Sequence, residues 1–211
     1  MAETKEKYEY KFKFIIVGNG FVGKSNISYR FVNGKFAEEY KATIGLDFAS
    51  KIITVNENDI KIEIWDTAGQ ECFKSISKGY YKNSVCAIVV YDITDRESFN
   101  NAISWIEECK NNCAKIVNLI LIGNKCDLEQ NRVVSTGEGE DLANRFNMKF
   151  YETSALTGKN IDKLFFDAAE TILKNIENNY YDLSKDECGI GKKKKNIKMN
   201  NQQKKKKVCC F

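Results

Sequence analysis

The residues Gly18-Asn19-Gly20-Phe21-Val22-Gly23-Lys24-Ser25 bring together glycine-bared backbone, an ammonium and a hydroxyl. They follow the apolar run Phe14-Ile15-Ile16-Val17 and precede a segment with helical periodicity, so the order is strand, loop, helix. In the spacing G-x-x-x-x-G-K-S, glycines let backbone N–H groups turn inward around phosphate oxygens. The helix that follows presents its positive end to the same oxygens. Lys24 adds a point charge at the terminal phosphates, and the Ser25 hydroxyl a ligand for Mg²⁺. The alternative is a glycine-rich turn that binds nothing; the complete spacing in a strand-to-helix context argues against it.

In an open α/β sheet the ligand sits beyond the carboxyl ends of the strands, and three further strand-end loops carry suitable groups. Asp66-Thr67-Ala68-Gly69-Gln70-Glu71 follows the strand 60–65. The Asp66 carboxylate can hold Mg²⁺, Gly69 permits backbone approach to a terminal phosphate, and the Gln70 carboxamide can orient an attacking water. Asn124-Lys125-Cys126-Asp127 follows the strand 116–122. The Asp127 carboxylate accepts both the N1–H and the 2-amino group of guanine, donors that adenine lacks at that edge. Thr153-Ser154-Ala155 follows 149–153, and a backbone N–H there can meet the guanine 6-oxygen.

The elements that must position these loops read as strand 11–17, helix 24–33, strand 46–55, a turn at Asn56-Glu57-Asn58-Asp59, and strand 60–65. Strand 85–91, helix 97–110, strand 116–122, helix 137–146, strand 149–153 and helix 161–179 follow. Alternation of this kind predicts an α/β fold whose sheet is mostly parallel and covered by helices on both faces, with 46–55 and 60–65 as one antiparallel edge hairpin. Three regions are expected: a flexible N-terminus at 1–10, a single domain at 11–180, and a disordered basic tail at 181–211.

Charge follows the same division. Residues 1–180 carry 23 basic against 26 acidic side chains, a net −3, while 181–211 carry 10 against 3, a net +7. The eight cysteines lack paired metal-ligand spacing and the chain has no histidine, so zinc is not expected. Without histidine, catalysis must rest on positioning, metal, carboxamide and carboxylate groups. No secretory leader pattern opens the chain and no apolar run approaches the roughly 18–20 residues of a bilayer span, so reduced thiols in the cytosol are expected.

The set G-x-x-x-x-G-K-S, T-I-G, W-D-T-A-G-Q-E, N-K-C-D and E-T-S-A, in this order, resembles the Ras superfamily of small GTPases over residues 10–180. Within it, Ile44-Gly45-Leu46-Asp47-Phe48, Lys61–Trp65, Phe73-Lys74-Ser75-Ile76, Tyr80-Tyr81-Lys82 and Val90–Thr94 are similar to Rab segments. The resemblance implies a P-loop GTPase fold, GTP and GDP as ligands with Mg²⁺, hydrolysis that is slow without an activating protein, and a switch role in vesicle trafficking.

It also implies site residues. Gly18 to Asn26 (Asn19, Gly20, Phe21, Val22, Gly23, Lys24 and Ser25 between them) surround the nucleotide. Phe36, Tyr40, Thr43, Gly69, Asn124, Lys125, Asp127, Ser154, Ala155 and Leu156 complete its shell. Ser25, Thr43 and Asp66 hold the metal, Gln70 and Lys24 are catalytic, and Phe48, Trp65 and Tyr80 face effectors. For the last three, ordinary core packing is the alternative. Phe21 stands where most family members have glycine, and Leu156 where lysine is usual after Ser-Ala. No matched position supplies an arginine finger in cis.

Lys192–Lys195 and Lys204–Lys207 precede Val208-Cys209-Cys210-Phe211. A C-a-a-X box would need cysteine at 208, so that signal is absent. Paired terminal cysteines resemble Rab endings that receive two geranylgeranyl groups, and two lipids beside a polybasic stretch make a stable anchor. Expected partners are a membrane, an exchange factor, a GTPase-activating protein, effectors and a prenyl-binding chaperone, on the cytoplasmic face of an endomembrane with a cytosolic pool. Nucleic acid is not expected, because the lysines lack interleaved aromatics or arginines. Two alternatives are a nucleotide-binding scaffold with little hydrolysis, which Phe21 would suit, and a metabolic P-loop enzyme. The chain's four scattered arginines, Arg30, Arg96, Arg132 and Arg145, do not form the lid cluster a nucleotide kinase wants.

Overall fold

The computed structural model describes residues 7–37, 46–67, 78–184 and 188–192. Seven strands occur among them: β1 (Tyr10–Val17), β2 (Leu46–Val55), β3 (Asn58–Thr67), β4 (Cys86–Asp92), β5 (Asn118–Asn124), β6 (Lys149–Glu152) and β7 (Ile190–Lys192). The helices are α1 (Lys24–Asn33), α2 (Lys78–Tyr81), α3 (Arg96–Asn112), α4 (Thr136–Phe146) and α5 (Ile161–Glu177). The sheet order is β2-β3-β1-β4-β5-β6, parallel except for the β2/β3 hairpin, with β7 antiparallel on β1. The hairpin turns where Asn56 and Glu57 both take positive φ, 47° and 64°, as a two-residue connection matched to strand twist requires.

Side-chain alternation along β1 divides the interior into two cores. Phe12, Phe14 and Ile16 join Ile27 and Phe31 of α1 and Leu164, Phe165 and Ile172 of α5 on one face. Ile15 and Val17 meet Ala102 and Ile106 of α3 and Leu142 of α4 on the other. The apolar stripe of α5, from Ile161 to Leu173, is therefore core. Phe165 stacks on Phe31 with ring centroids 3.9 Å apart and on Phe14 at 6.1 Å, locking α5 and α1 onto the strand that ends in the glycine loop.

The folded region differs at both ends from the expected division at 10 and 181. The Glu9 N–H already donates to the Asp59 carbonyl at 2.7 Å, and Tyr10 opens β1. After α5, Tyr181 is buried and the chain returns as β7. The reason is an open edge: β4 pairs with β1 from Phe14 onward, leaving Tyr10–Phe12 to be paired on that side by residues 190–192. Gly189, at φ 72°, lets the return pass, since a Cβ there would lie 2.1 Å from the Asn83 carbonyl oxygen. Ile190 then inserts into the core, a placement that a polar, lysine-rich local sequence does not signal. The short α2 and a 3₁₀ turn at Glu129–Asn131 were likewise not foreseen.

Because Phe165 ties both helices of one face to β1, Phe165→Ala should lower unfolding stability by about 3–5 kcal/mol, read from the denaturant midpoint at constant m.

Candidate functional site

The glycine loop is shaped by the strands beside it. Gly18 lies against β4, where a Cβ would come within 2.2 Å of the Val90 carbonyl oxygen. Gly23 caps α1 in the left-handed region, and a Cβ there would meet the Asn124 amide nitrogen at 2.4 Å. Asn124, only 1% exposed at the end of β5, donates from Nδ2 to the Val22 carbonyl at 2.8 Å. Its Oδ1 accepts from Thr153 Oγ at 3.1 Å, so one carboxamide holds together the phosphate loop, β5 and the loop after β6.

Lys24, 5% exposed, folds back over the loop and donates from Nζ to the carbonyls of Gly18 at 2.9 Å and Asn19 at 2.7 Å. Burial pushes its ammonium down from the usual 10.5 to about 8, against the opposing pull of the Asp66 carboxylate. The Ser25 hydroxyl donates to Asp66 Oδ2, bringing the first turn of α1 and the end of β3 together. Thr67 Oγ donates to the Ile16 carbonyl at 2.9 Å and fixes β3 against β1. The α1 start has no side-chain cap and no acidic residue in its first turn. By contrast, Asp95 caps α3, and Ser135 with Glu138 caps α4. The amide end of α1 is thus without a side-chain cap, an arrangement that suits an anion.

This donor set suits a magnesium-bound phosphate. A hydroxyl and a carboxylate oxygen in mutual contact are hard ligands of the kind Mg²⁺ takes, beside a buried ammonium and an uncapped helix end. Mg²⁺ commonly takes one or two protein ligands and fills the rest of its shell with waters and substrate phosphate, which a two-residue contact of this kind suits.

Lys125 takes φ 64° and pairs its Nζ with Asp92 Oδ2 at 2.6 Å, while Asp127 is exposed beside it. The Cys126 N–H donates to the Thr153 carbonyl at 3.0 Å, joining that loop to Ser154 and Ala155, both buried, with Leu156 exposed. Phe36 rests half-buried against the core, and Asn26 and Gly20 are half-buried. Phe48 faces Trp65 edge-on at 5.7 Å, and Trp65 lies 6.2 Å from Tyr80, so the three aromatics expected to face effectors are contiguous. Phe48 is 50% exposed, which ordinary core packing would not leave. Tyr40, Thr43, Gly69, Gln70, Cys209 and Cys210 lie outside the described residues.

Two participants had no local signal. Arg30 of α1 donates to the Leu156 carbonyl at 3.3 Å and the Thr157 carbonyl at 3.2 Å, and Trp105 of α3 reaches Asn19. Asp92 was discoverable, being a carboxylate at the carboxyl end of β4.

The sequence pattern of the Ras family matches residues 13–174. The Ras-related protein Rab-2B of Dictyostelium discoideum is 48% identical over 172 residues, covering 82% of this chain and 85% of that protein. The Ras-related protein Rab-4A of Mus musculus is 41% identical over 192 residues, 90% and 88% of the two. The chain belongs to the Rab small GTPases of the Ras family. As a Rab it binds guanine nucleotide, is a GTPase and acts in vesicle trafficking. Phe21 takes the left-handed backbone at φ 63° and projects a side chain 74% exposed.

Two outcomes follow from this Rab's loop. A left-handed phenylalanine costs roughly 1–2 kcal/mol, and the freer unfolded chain of glycine offsets about half of that. Phe21→Gly should therefore raise unfolding stability by roughly 0.5–1 kcal/mol in denaturant titration. Lys24 binds a proton less readily folded than unfolded, so stability of the nucleotide-free chain should climb as pH rises from about 8 to 10.5. Lys24→Met should flatten that slope in thermal melts across the same range.

Proposed function

We propose that this Rab is a Mg²⁺-dependent GTP switch whose P-loop, Lys24 and Ser25–Asp66 pair hold the phosphates and whose C-terminal cysteines carry its lipid anchor. The observation that carries the reading is the buried Lys24 ammonium folded over the glycine loop, beside the contact of Ser25 with Asp66. When bound, Mg²⁺ would be held by Ser25, Asp66 and Thr43 and would supply charge neutralisation on the phosphate oxygens. Lys24 and the loop amides stabilise the charge that grows on the phosphate oxygens as the terminal bond breaks. Gln70 orients the attacking water, and Gly69 and Thr43 register the terminal phosphate. Asp127 accepts the two guanine donors, the Lys125 stem, its ammonium held by Asp92, covers the ring, and the Ala155 N–H meets the 6-oxygen.

The nucleotide state is read at Phe48, Trp65 and Tyr80, whose contiguous, partly exposed rings support effector docking. Two geranylgeranyl groups on Cys209 and Cys210, with Lys192–Lys195 and Lys204–Lys207 beside an anionic leaflet, anchor the chain on the cytoplasmic face of an endomembrane. A prenyl-binding chaperone keeps a cytosolic pool, an exchange factor reloads GTP, and an activating protein supplies the missing arginine.

Single-turnover hydrolysis by the purified full chain tests the switch. Wild type should convert bound GTP to GDP, and Gln70→Leu should slow the step by about 10²-fold or more, the scale of one lost transition-state donor. Equal rates would remove Gln70 from the mechanism.

A further inference from the structure

Trp105 lies in the middle of α3, 5% exposed, within the core on the α3/α4 face of the sheet. Its indole Nε1–H donates to Asn19 Oδ1 at 2.9 Å, across 86 positions of sequence. The backbone carbonyl of the same Asn19 accepts from Lys24 Nζ at 2.7 Å. Asn19 is therefore gripped on its side chain by a rigid helix and on its backbone by the cation of the phosphate site. Two residues on, Phe21 sits in the left-handed region, and Val22 is held through its carbonyl by Asn124. The bend of the loop that carries the strained residue thus hangs between two anchors, one on α3 and one on β5. A buried indole N–H finds a partner wherever it can, but here the partner belongs to the loop rather than to a neighbouring helix.

We propose that Trp105 is a positioning residue of the phosphate site: its indole N–H fixes the Asn19 carboxamide and, through it, the carbonyl that orients the Lys24 ammonium. The inference rests on the reading of Lys24 as a phosphate ligand. It makes α3 a structural support of the loop's grip on nucleotide. Packing alone would make Trp105 matter to stability. Positioning makes it matter to nucleotide release, and only while the Lys24 ammonium is there to be oriented.

The test uses the full chain loaded with a fluorescent GDP. Trp105→Phe keeps an aromatic ring in the core and deletes the N–H; Asn19→Ala deletes the acceptor from the loop side and leaves α3 untouched. Each should speed GDP release about 5–10-fold, the worth of one hydrogen bond, and the double variant should release no faster than either single one. Lys24→Met should weaken GTP binding about 10-fold or more, the worth of a charged hydrogen bond, and in that background Trp105→Phe should speed GDP release no further. Unchanged release, effects that multiply in the double variant, or a Trp105→Phe effect that persists in full beside Lys24→Met would each overturn the role of Trp105. A Lys24→Met chain that binds GTP as tightly as wild type would instead overturn the reading of Lys24.

Discussion

The Asn124 carboxamide is the constraint on which the site depends. A buried amide is tolerated only when both of its ends are satisfied, and here the donor end holds the Val22 carbonyl while the acceptor end takes the Thr153 hydroxyl. Three loops that are distant in sequence are thereby set at one height above the sheet. Gly23 follows from the same contact, because the space of its missing side chain is filled by the amide nitrogen. The parallel order β1-β4-β5-β6 makes this possible, since it brings the carboxyl ends of these strands to one edge.

Around that anchor the chain builds a cavity-like electrostatic arrangement rather than a set of independent ligands. The protein caps α3 and α4 with its own side chains and leaves α1 without one. It buries an ammonium deeply enough to depress its affinity for a proton, and sets a hydroxyl against a carboxylate at the mouth of β3. An anion with an accompanying divalent cation, as proposed for this site, would relieve each of these tensions. That is the physical content of a preorganised phosphate site.

The same strand then links the site to the surface. Asp66 and Trp65 are adjacent on β3, so strand geometry points them to opposite faces. Trp65 is opposite Phe48 in the β2/β3 register and close to Tyr80, with the Lys13 ammonium 4.3 Å from its ring. A change at Asp66 therefore lies one peptide bond from the contiguous Phe48, Trp65 and Tyr80 rings.

Much of this was legible in the sequence because it is local. The glycine loop, the strand-end motifs and the period of each element depend on residues a few positions apart, and helix 24–33 and strand 46–55 emerge with the expected bounds. Tertiary structure alone decided the pairings between distant segments: Trp105 with Asn19, Arg30 with the 156–157 carbonyls, Lys125 with Asp92, and residues 190–192 with the open edge of β1. Such contacts depend on strand register and on how helices sit over the sheet, and no periodicity within either partner encodes them. The motifs thus determined which chemistry the chain carries, while the packing determined what holds each group in place, because a buried polar atom takes its partner from whatever the fold brings beside it.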